Sequence, residues 1–448
     1  MLAHRAQFDS RTQQDLHMLH KVAVGVWDMR YYGFDEDVQV AYQTCLPGIE
    51  YLEESIANLL LAQFHIDSGQ PEQALPPLGR NLKINAQDTA SLTLLGAALG
   101  NLGYSDRARQ QLVQSRELNS SYPGTNRELG RLAIAEGRYK EGIHYHREEY
   151  GLRPSCEMNV VNLIEARHQY HIHRHGRRAK NYAELINARY WDRLADGELD
   201  LDCEPESRKS IISLACDKCG THLIADVIQA ITGQTSDWQY HPDRNPMKRY
   251  PKPVASDSFI AGNWYPNVEM LKLIRQQRSR VVLQYRDPRD QLISGYFYCQ
   301  KPDVLVNDTG FSQSMRELPK HDALSQLIKN WPYASMEWLV GWVESDVPLL
   351  LTTFEEMVGN KPRVVDELAR YLAKPLSEAQ RDAVVEATHF KKKSASLTIE
   401  NVSETFKRKG VAGDWRNHFT PELVELYKQE VGRVTLALGF EHDPNWQA

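Results

Sequence analysis

Cysteine is scarce in this chain, with six in 448 residues. That number makes no disulfide framework, and a reducing cytoplasm is the expected compartment. No apolar run is long enough to span a bilayer. The opening residues, MLAHRAQFDSRTQQ, lack the apolar core of a secretory signal. A surplus of one charge is also missing. The formal charge of −6 argues against bulk nucleic-acid binding but leaves room for a local basic pocket. The usual phosphate loops, G-x-x-x-x-G-K-[ST] and G-x-G-x-x-G, do not occur. What remains is an ordinary soluble composition, 42% hydrophobic and 25% charged, in a chain long enough for two or three domains.

The first half carries a repeat. Gly69, Gly103 and Gly137 recur at one period, as do Ala74, Ala108 and Gly142. Leu61, Leu95 and Leu129 follow it too, next to the small residues Ala62, Gly96 and Gly130. Leu78 and Leu112 fill the second helix of their units, and Pro154 closes the third. A period of about 34 residues with small residues at these offsets resembles the tetratricopeptide repeat. Three units are expected over 55–156, each a pair of antiparallel helices. Neighbouring units must stack to bury their apolar faces. Such a domain either binds a protein or peptide partner or serves as a platform. Residues 1–54, with Trp27, Tyr31 and Tyr32, are expected to cap it. Residues 157–206 read as a helical linker. His168, His171, His173 and His175 lie there among basic residues, without a carboxylate or cysteine at a familiar ligand spacing. They read as a solvated basic junction before they read as a metal site.

The second half alternates strands and helices. Short apolar runs at 211–215, 258–262, 281–285 and 348–353 predict buried strands. Helical patterns follow at 222–231, 268–277 and 291–298. This alternation predicts a parallel sheet with helices on both faces, and ligands at the carboxyl ends of its strands. The turn Asp217-Lys218-Cys219-Gly220-Thr221 falls at such an end. It is either a plain connection or an anion site. In the second reading Lys218 supplies charge, Gly220 allows close approach and the next helix supplies free amides. Cys216 and Cys219 form C-x-x-C, but no second such pair is present for zinc, and Cys216 is expected to be buried.

Three motifs in order give that turn a context. Asp217-Lys218-Cys219-Gly220-Thr221-His222 resembles the loop usually written P-K-S-G-T-T in sulfotransferases that use 3′-phosphoadenosine-5′-phosphosulfate (PAPS). Arg286-Asp287-Pro288-Arg289-Asp290, continuing to Ser294, is similar to that family's R-N-P-x-D-x-x-x-S segment. Arg408-Lys409-Gly410 with Gly413-Asp414-Trp415-Arg416-Asn417 resembles its R-K-G-x-x-G-D-W-K-N loop. The resemblance covers about 207–440, including Trp338, Gly341, Trp342 and Phe354-Glu355-Glu356-Met357.

The resemblance implies a three-layer α/β domain of nucleotide-kinase-like type over 207–448. It implies PAPS as donor, PAP as product and no required metal. Lys218, Cys219, Gly220, Thr221 and His222 would hold the phosphosulfate. Arg286 and Ser294 would hold the 3′-phosphate, with Arg408, Lys409 and Gly410 as a lid and Phe390 at the adenine. Lys218 would stabilise the leaving oxygen, and sulfuryl transfer would go to a hydroxyl or amine acceptor of unknown class. No nucleic-acid partner and no transmembrane segment are expected.

Two positions depart from the pattern. Asn263 stands where the family's basic histidine is expected and cannot take a proton. His222, His241 and Asp257 are the substitutes in the sequence, and His222 alternatively only donates to the phosphosulfate. Leu223 stands where a tryptophan often stacks on adenine. The competing function is a repeat-based interaction protein whose second domain binds nucleotide without catalysis.

Overall fold

The computed structural model describes Tyr42, Leu46, Ile49 and residues 52–154, 156–198, 210–239, 251–300, 311–389 and 409–448. The chain divides into two compact units between Arg178 and Ala179.

The first unit is helical. Its helices are α1 (Glu54–Asp67), α2 (Pro71–Ile84), α3 (Thr89–Asn101), α4 (Ser105–Leu118), α5 (Thr125–Ala135), α6 (Tyr139–Leu152) and α7 (Glu157–His175). α2, α4 and α6 start 34 residues apart, so the sequence period is a structural one. Gly69, Gly103 and Gly137 precede them with φ of +70°, +82° and +76°. Only glycine takes that turn without a Cβ penalty. Small residues let the helices of a pair approach. A Cβ on Gly130 would lie 2.8 Å from the His146 ring, and one on Gly142 would lie 2.6 Å from Ile134. The expected cap over 1–54 falls mostly outside the described residues. The stretch 157–206 divides: α7 belongs to the first unit and α8 (Tyr182–Ala195) to the second.

The second unit holds one sheet of five parallel strands in the order β2-β3-β1-β4-β5. These are β1 (Ile211–Ala215), β2 (Thr235–Trp238), β3 (Ser258–Gly262), β4 (Arg280–Tyr285) and β5 (Leu349–Thr353). Its helices continue as α9 (Thr221–Thr232), α10 (Val268–Gln277), α11 (Pro288–Cys299), α12 (Phe311–Glu317) and α13 (Lys320–Glu344). They end with α14 (Phe354–Gly359), α15 (Lys361–Tyr371), α16 (Glu378–Ala387) and α17 (Pro421–Ala437). The four strands read from the sequence are present. β2 was not anticipated, because its residues are polar and partly exposed on an edge of the sheet. α11 starts three residues before the expected 291. Asp287 caps it by accepting from the Arg289 amide, and Pro288 fits its first turn.

β1, β4 and β5 are buried almost throughout, as a sheet covered on both faces requires. Ile224, Val227 and Ile228 of α9 pack with Phe259, Val282 and Leu350 of the sheet and Val365 and Leu368 of α15. The edge strand β5 is closed by α8. Asn187 donates to Leu351 O and accepts from Leu351 N, both at 2.9 Å, pairing backbone groups that would otherwise stay open.

One buried group makes the first unit sensitive to acid. Burial lowers the His146 pKa from 6.5 to about 4, so the folded ring stays neutral where the unfolded chain takes up a proton. Stability therefore falls as pH drops from 6.5 toward 4, by on the order of 3 kcal/mol in all. Hydrogen-exchange protection of α5 and α6, corrected for intrinsic rates, should fall over that window. A His146→Leu variant should lose most of the dependence, and an unchanged dependence would refute the assignment.

Candidate functional site

β1 is central, flanked by β3 and β4, with Leu214 in register with Gly262 and Ala215 with Gln284. The chain therefore leaves β1, β3 and β4 at neighbouring points on one rim. Such a rim, where the strand order reverses, is where open α/β sheets bind ligands. Asp217, Asn263 and Arg286 all stand on it.

The turn after β1 is shaped by what holds it from behind. Gln284 of β4 donates through Nε2 to Cys219 O at 2.7 Å and Gly220 O at 2.9 Å. Gln291 of α11 donates to Asp217 O at 2.6 Å. Three carbonyls are thus drawn to one side. The amides of Gly220 and Thr221 make no hydrogen bond among the described residues, and they stand at the positive end of α9. Gly220 has φ +88°, and a Cβ there would lie 2.6 Å from Gln284 Nε2 and 2.9 Å from Phe354. Lys218 is itself left-handed at φ +62°, a conformation costly for a residue with a side chain. Its ammonium lies 4.0 Å from the centre of the Tyr298 ring, near the end of α11.

Cys219 is fully buried and its amide bonds to Cys216 O, so it serves the turn's interior. Burial pushes its thiol pKa well up, with the neighbouring Cys216 adding to the effect. Cys216 is buried at the strand end, as expected. His222 lies in the first turn of α9, its ring 4.4 Å from that of Trp238 on β2. Leu223 packs against the hydrophobic core.

Arg286 leaves the end of β4 and is nearly buried. It donates to Val411 O at 2.8 Å, pairs with Asp290 at 3.4 Å and lies 4.2 Å from the Phe354 ring centre. Asp290 accepts from the amides of Gly413 and Trp415, at 2.6 and 2.9 Å. Lys409 pairs with Asp414 at 2.8 Å beside Gly410, so this part of the C-terminal loop is fastened onto the start of α11. Ser294 is half-buried on α11. Phe390 and Arg408 lie outside the described residues.

Of the substitute bases, Asp257 directly precedes β3 and so stands at the amino ends of the strands, opposite the rim that carries the site. It is corrected on that ground: five strand residues separate it from the rim. His241 lies outside the described residues. Asn263 does stand on the rim, and its side-chain Nδ2 donates to Asp217 Oδ1. Its turn is rigid, because Trp338 and Trp342 both donate their indole N–H to Trp264 O at 2.8 Å.

Residues 259–434 match the family model described as the sulfotransferase domain. The chain carries a sulfotransferase domain. Its relatives include Sulfotransferase 6B1 of Danio rerio, 21% identical over 249 residues, covering 52% of this chain and 82% of the relative. Another is the 3-beta-hydroxysteroid sulfotransferase of Cavia porcellus, 24% identical over 49% of this chain and 83% of the relative. Among solved structures, a mouse sulfotransferase complexed with PAP aligns with 50% of this chain and 84% of its own. The identity there is 21% and the TM-score 0.37. Retinol dehydratase with androsterone and PAP aligns with 58% and 87%, at 18% identity and a TM-score of 0.39.

The sulfotransferase domain also holds polar residues whose roles the motifs do not reveal. Gln284 and Gln291 belong to none of the motif matches, and Arg289, Asp290 and Glu355 enter only as members of motif segments. Arg289 pairs with Asp287 and Glu441, both at 2.6 Å, between the rings of Trp415 and Trp446. Glu355 accepts from the Asp287 amide at 3.1 Å. Burial first, and the Asp287 charge second, raise its pKa from 4.5 to about 8. No group of three metal-ligating side chains stands together among the described residues.

Glu355 gives the second unit the opposite pH dependence from His146. The folded protein keeps a proton that the unfolded chain releases near pH 4.5, so stability falls as pH rises from 4.5 through about 8. Glu355→Gln keeps the shape and removes the ionisation. Its melting temperature relative to wild type, without nucleotide, should rise between pH 5 and about pH 8 and level off above it. A constant difference over that range would reject the buried-acid assignment.

Proposed function

We propose that this protein transfers a sulfuryl group from PAPS to a hydroxyl or amine acceptor by in-line displacement. The observation that carries the reading is one rim with two cationic ends. The Lys218 turn, with two amides that make no hydrogen bond among the described residues, sits at the end of β1, and Arg286 sits at the end of the adjacent β4. A donor with anionic groups at both ends needs two such places held apart. The match of 259–434 to the sulfotransferase domain supports the same reading.

In this reading Lys218, Cys219, Gly220, Thr221 and His222 form the phosphosulfate loop. The amides of Gly220 and Thr221 hold the transferring group, and Cys219 contributes through the buried shape of the turn. Lys218 stabilises the charge that grows on the leaving oxygen. His222 donates to the phosphosulfate. Arg286 and Ser294 take the 3′-phosphate, Arg408, Lys409 and Gly410 close over it, and Phe390 meets the adenine. The chemistry is then mainly positioning and charge stabilisation, with no metal assigned to it.

We also read residues 55–156 as tetratricopeptide-like. The regular pairing of α1 with α2, α3 with α4 and α5 with α6 supports this, and a protein or peptide partner fits such a surface. No described helix is long and apolar enough to cross a membrane. We place the protein in the cytoplasm.

Asn263 in place of a proton-accepting side chain favours the second reading, a nucleotide-binding domain without catalysis. Two measurements separate the readings. PAP at millimolar concentration should raise the melting temperature by several degrees. Labelled PAPS, offered with a panel of phenols, alcohols and amines, should yield labelled product. A shift without any transfer selects the inactive domain, and no shift rejects both readings. Lys218→Ala should lower turnover by at least about 100-fold, as loss of a preorganised charge does. Transfer at the wild-type rate would remove Lys218 from the mechanism.

A further inference from the structure

Transfer to a hydroxyl requires something to accept its proton, and the rim offers a carboxylate for that task. We propose that Asp217 is the general base of the reaction and that Asn263 is the residue that positions it. This rests on the sulfuryl-transfer reading above.

The geometry comes from two adjacent strands. Asp217 is the second residue beyond β1, and Asn263 is the first beyond β3, which pairs with β1 in parallel. Asn263 Nδ2 donates to Asp217 Oδ1. The amide must face that way, because its oxygen would otherwise oppose a carboxylate. Both ends of the contact are rigid. The Asp217 carbonyl is held by Gln291 at 2.6 Å. Beyond Asn263, two tryptophan indoles grip Trp264 O. The Trp264 indole itself donates to Gln239 O at 2.9 Å. Neither residue is buried outright, so the pair keeps some access to solvent.

Asp217 is also placed one residue before Lys218 and three before Gly220. A base there belongs to the same turn as the amides assigned to the sulfuryl group, on its β3 side, where it meets Asn263. His222 occupies a different position, in the first turn of α9 with its ring against Trp238. The β1–β3 side of the turn lies at the carboxyl ends of the strands, where open α/β sheets bind ligands.

The step balances without a further reagent. The acceptor oxygen forms a bond to sulfur as the bond from sulfur to the nucleotide's phosphate oxygen breaks. The electron pair of the broken bond stays on that phosphate oxygen, beside Lys218. The acceptor's proton passes to the Asp217 carboxylate, which later releases it to water. Asn263 holds the other carboxylate oxygen and fixes the side chain's rotamer.

The test compares wild type, Asp217→Asn and Asp217→Glu, in the full chain with labelled PAPS. Acceptors are simple phenols of graded acidity, including para-nitrophenol, which is largely ionised at mildly alkaline pH and needs no base there. Asp217→Asn should keep the PAP-induced melting shift. It should lose about 100-fold or more in kcat with weakly acidic phenols, the usual worth of a general base. With para-nitrophenol it should lose less than about 10-fold, since no proton must move. Asp217→Glu should recover part of the loss. Equal losses across the phenols, undiminished activity, or loss of the PAP shift in Asp217→Asn would each overturn the assignment. Absence of a PAP shift in wild type overturns the sulfuryl-transfer reading itself, and the base with it.

Discussion

The turn after β1 depends on hydrogen bonds made behind it. A peptide turn presents carbonyls as readily as amides, and carbonyls repel anions. Here Gln284 and Gln291 draw the carbonyls of Asp217, Cys219 and Gly220 inward. Only then can the amides at the start of α9 act together with the helix dipole. Gly220 is fixed by the same contact, because Gln284 occupies the space a Cβ would need. In the proposed reading, anion binding at this turn is therefore a property of three elements, β1, β4 and α11, and not of the turn alone.

A second constraint is a buried knot of charge at the start of α11. Arg286, Asp287, Arg289 and Asp290 are all close to fully buried. Buried charges are tolerated only when paired and hydrogen-bonded. Each of these four is: Asp287 and Glu441 hold Arg289, while Asp290 holds Arg286 and two loop amides. The tryptophans of the C-terminal loop and tail lie over Arg289 and exclude water. Such a network specifies one geometry more than it adds stability. It joins the Arg286 end of the rim to the loop that carries Lys409 and Gly410.

Much of this fold was legible in the residues. Apolar runs of four to six residues marked β1, β3, β4 and β5, because a sheet buried on both faces leaves no polar alternation. The 34-residue period was visible because each helix pair repeats the same glycine turn. β2 was hidden, since Thr235-Ser236-Asp237-Trp238 is an edge strand held by one neighbour and carries no apolar run. Lys218, Gly220, Arg286, Lys409 and Gly410 stood out by motif. Gln284 and Gln291 did not, because a glutamine has no signature until its partner's carbonyl is known. Glu355 was noticed only as part of a segment. Its unusual acidity follows from burial beside Asp287, 68 positions away in the chain.

The same limit explains the missing base. Along the chain, Asp217 where the family pattern has proline and Asn263 where it has histidine are separate departures, 46 residues apart. Each alone looks like a loss: one spoils a motif, the other removes a proton acceptor. The strand order changes their meaning. β1 and β3 are neighbours, so the two positions face each other across one gap of the rim, about 5 Å wide between strand axes. In that gap a histidine and a proline would make no pair, whereas an asparagine amide and a carboxylate do. The substitution at Asn263 therefore need not remove proton transfer from the site. In the proposed mechanism it moves the accepting atom across the gap from β3 to β1, next to the lysine assigned to the leaving oxygen.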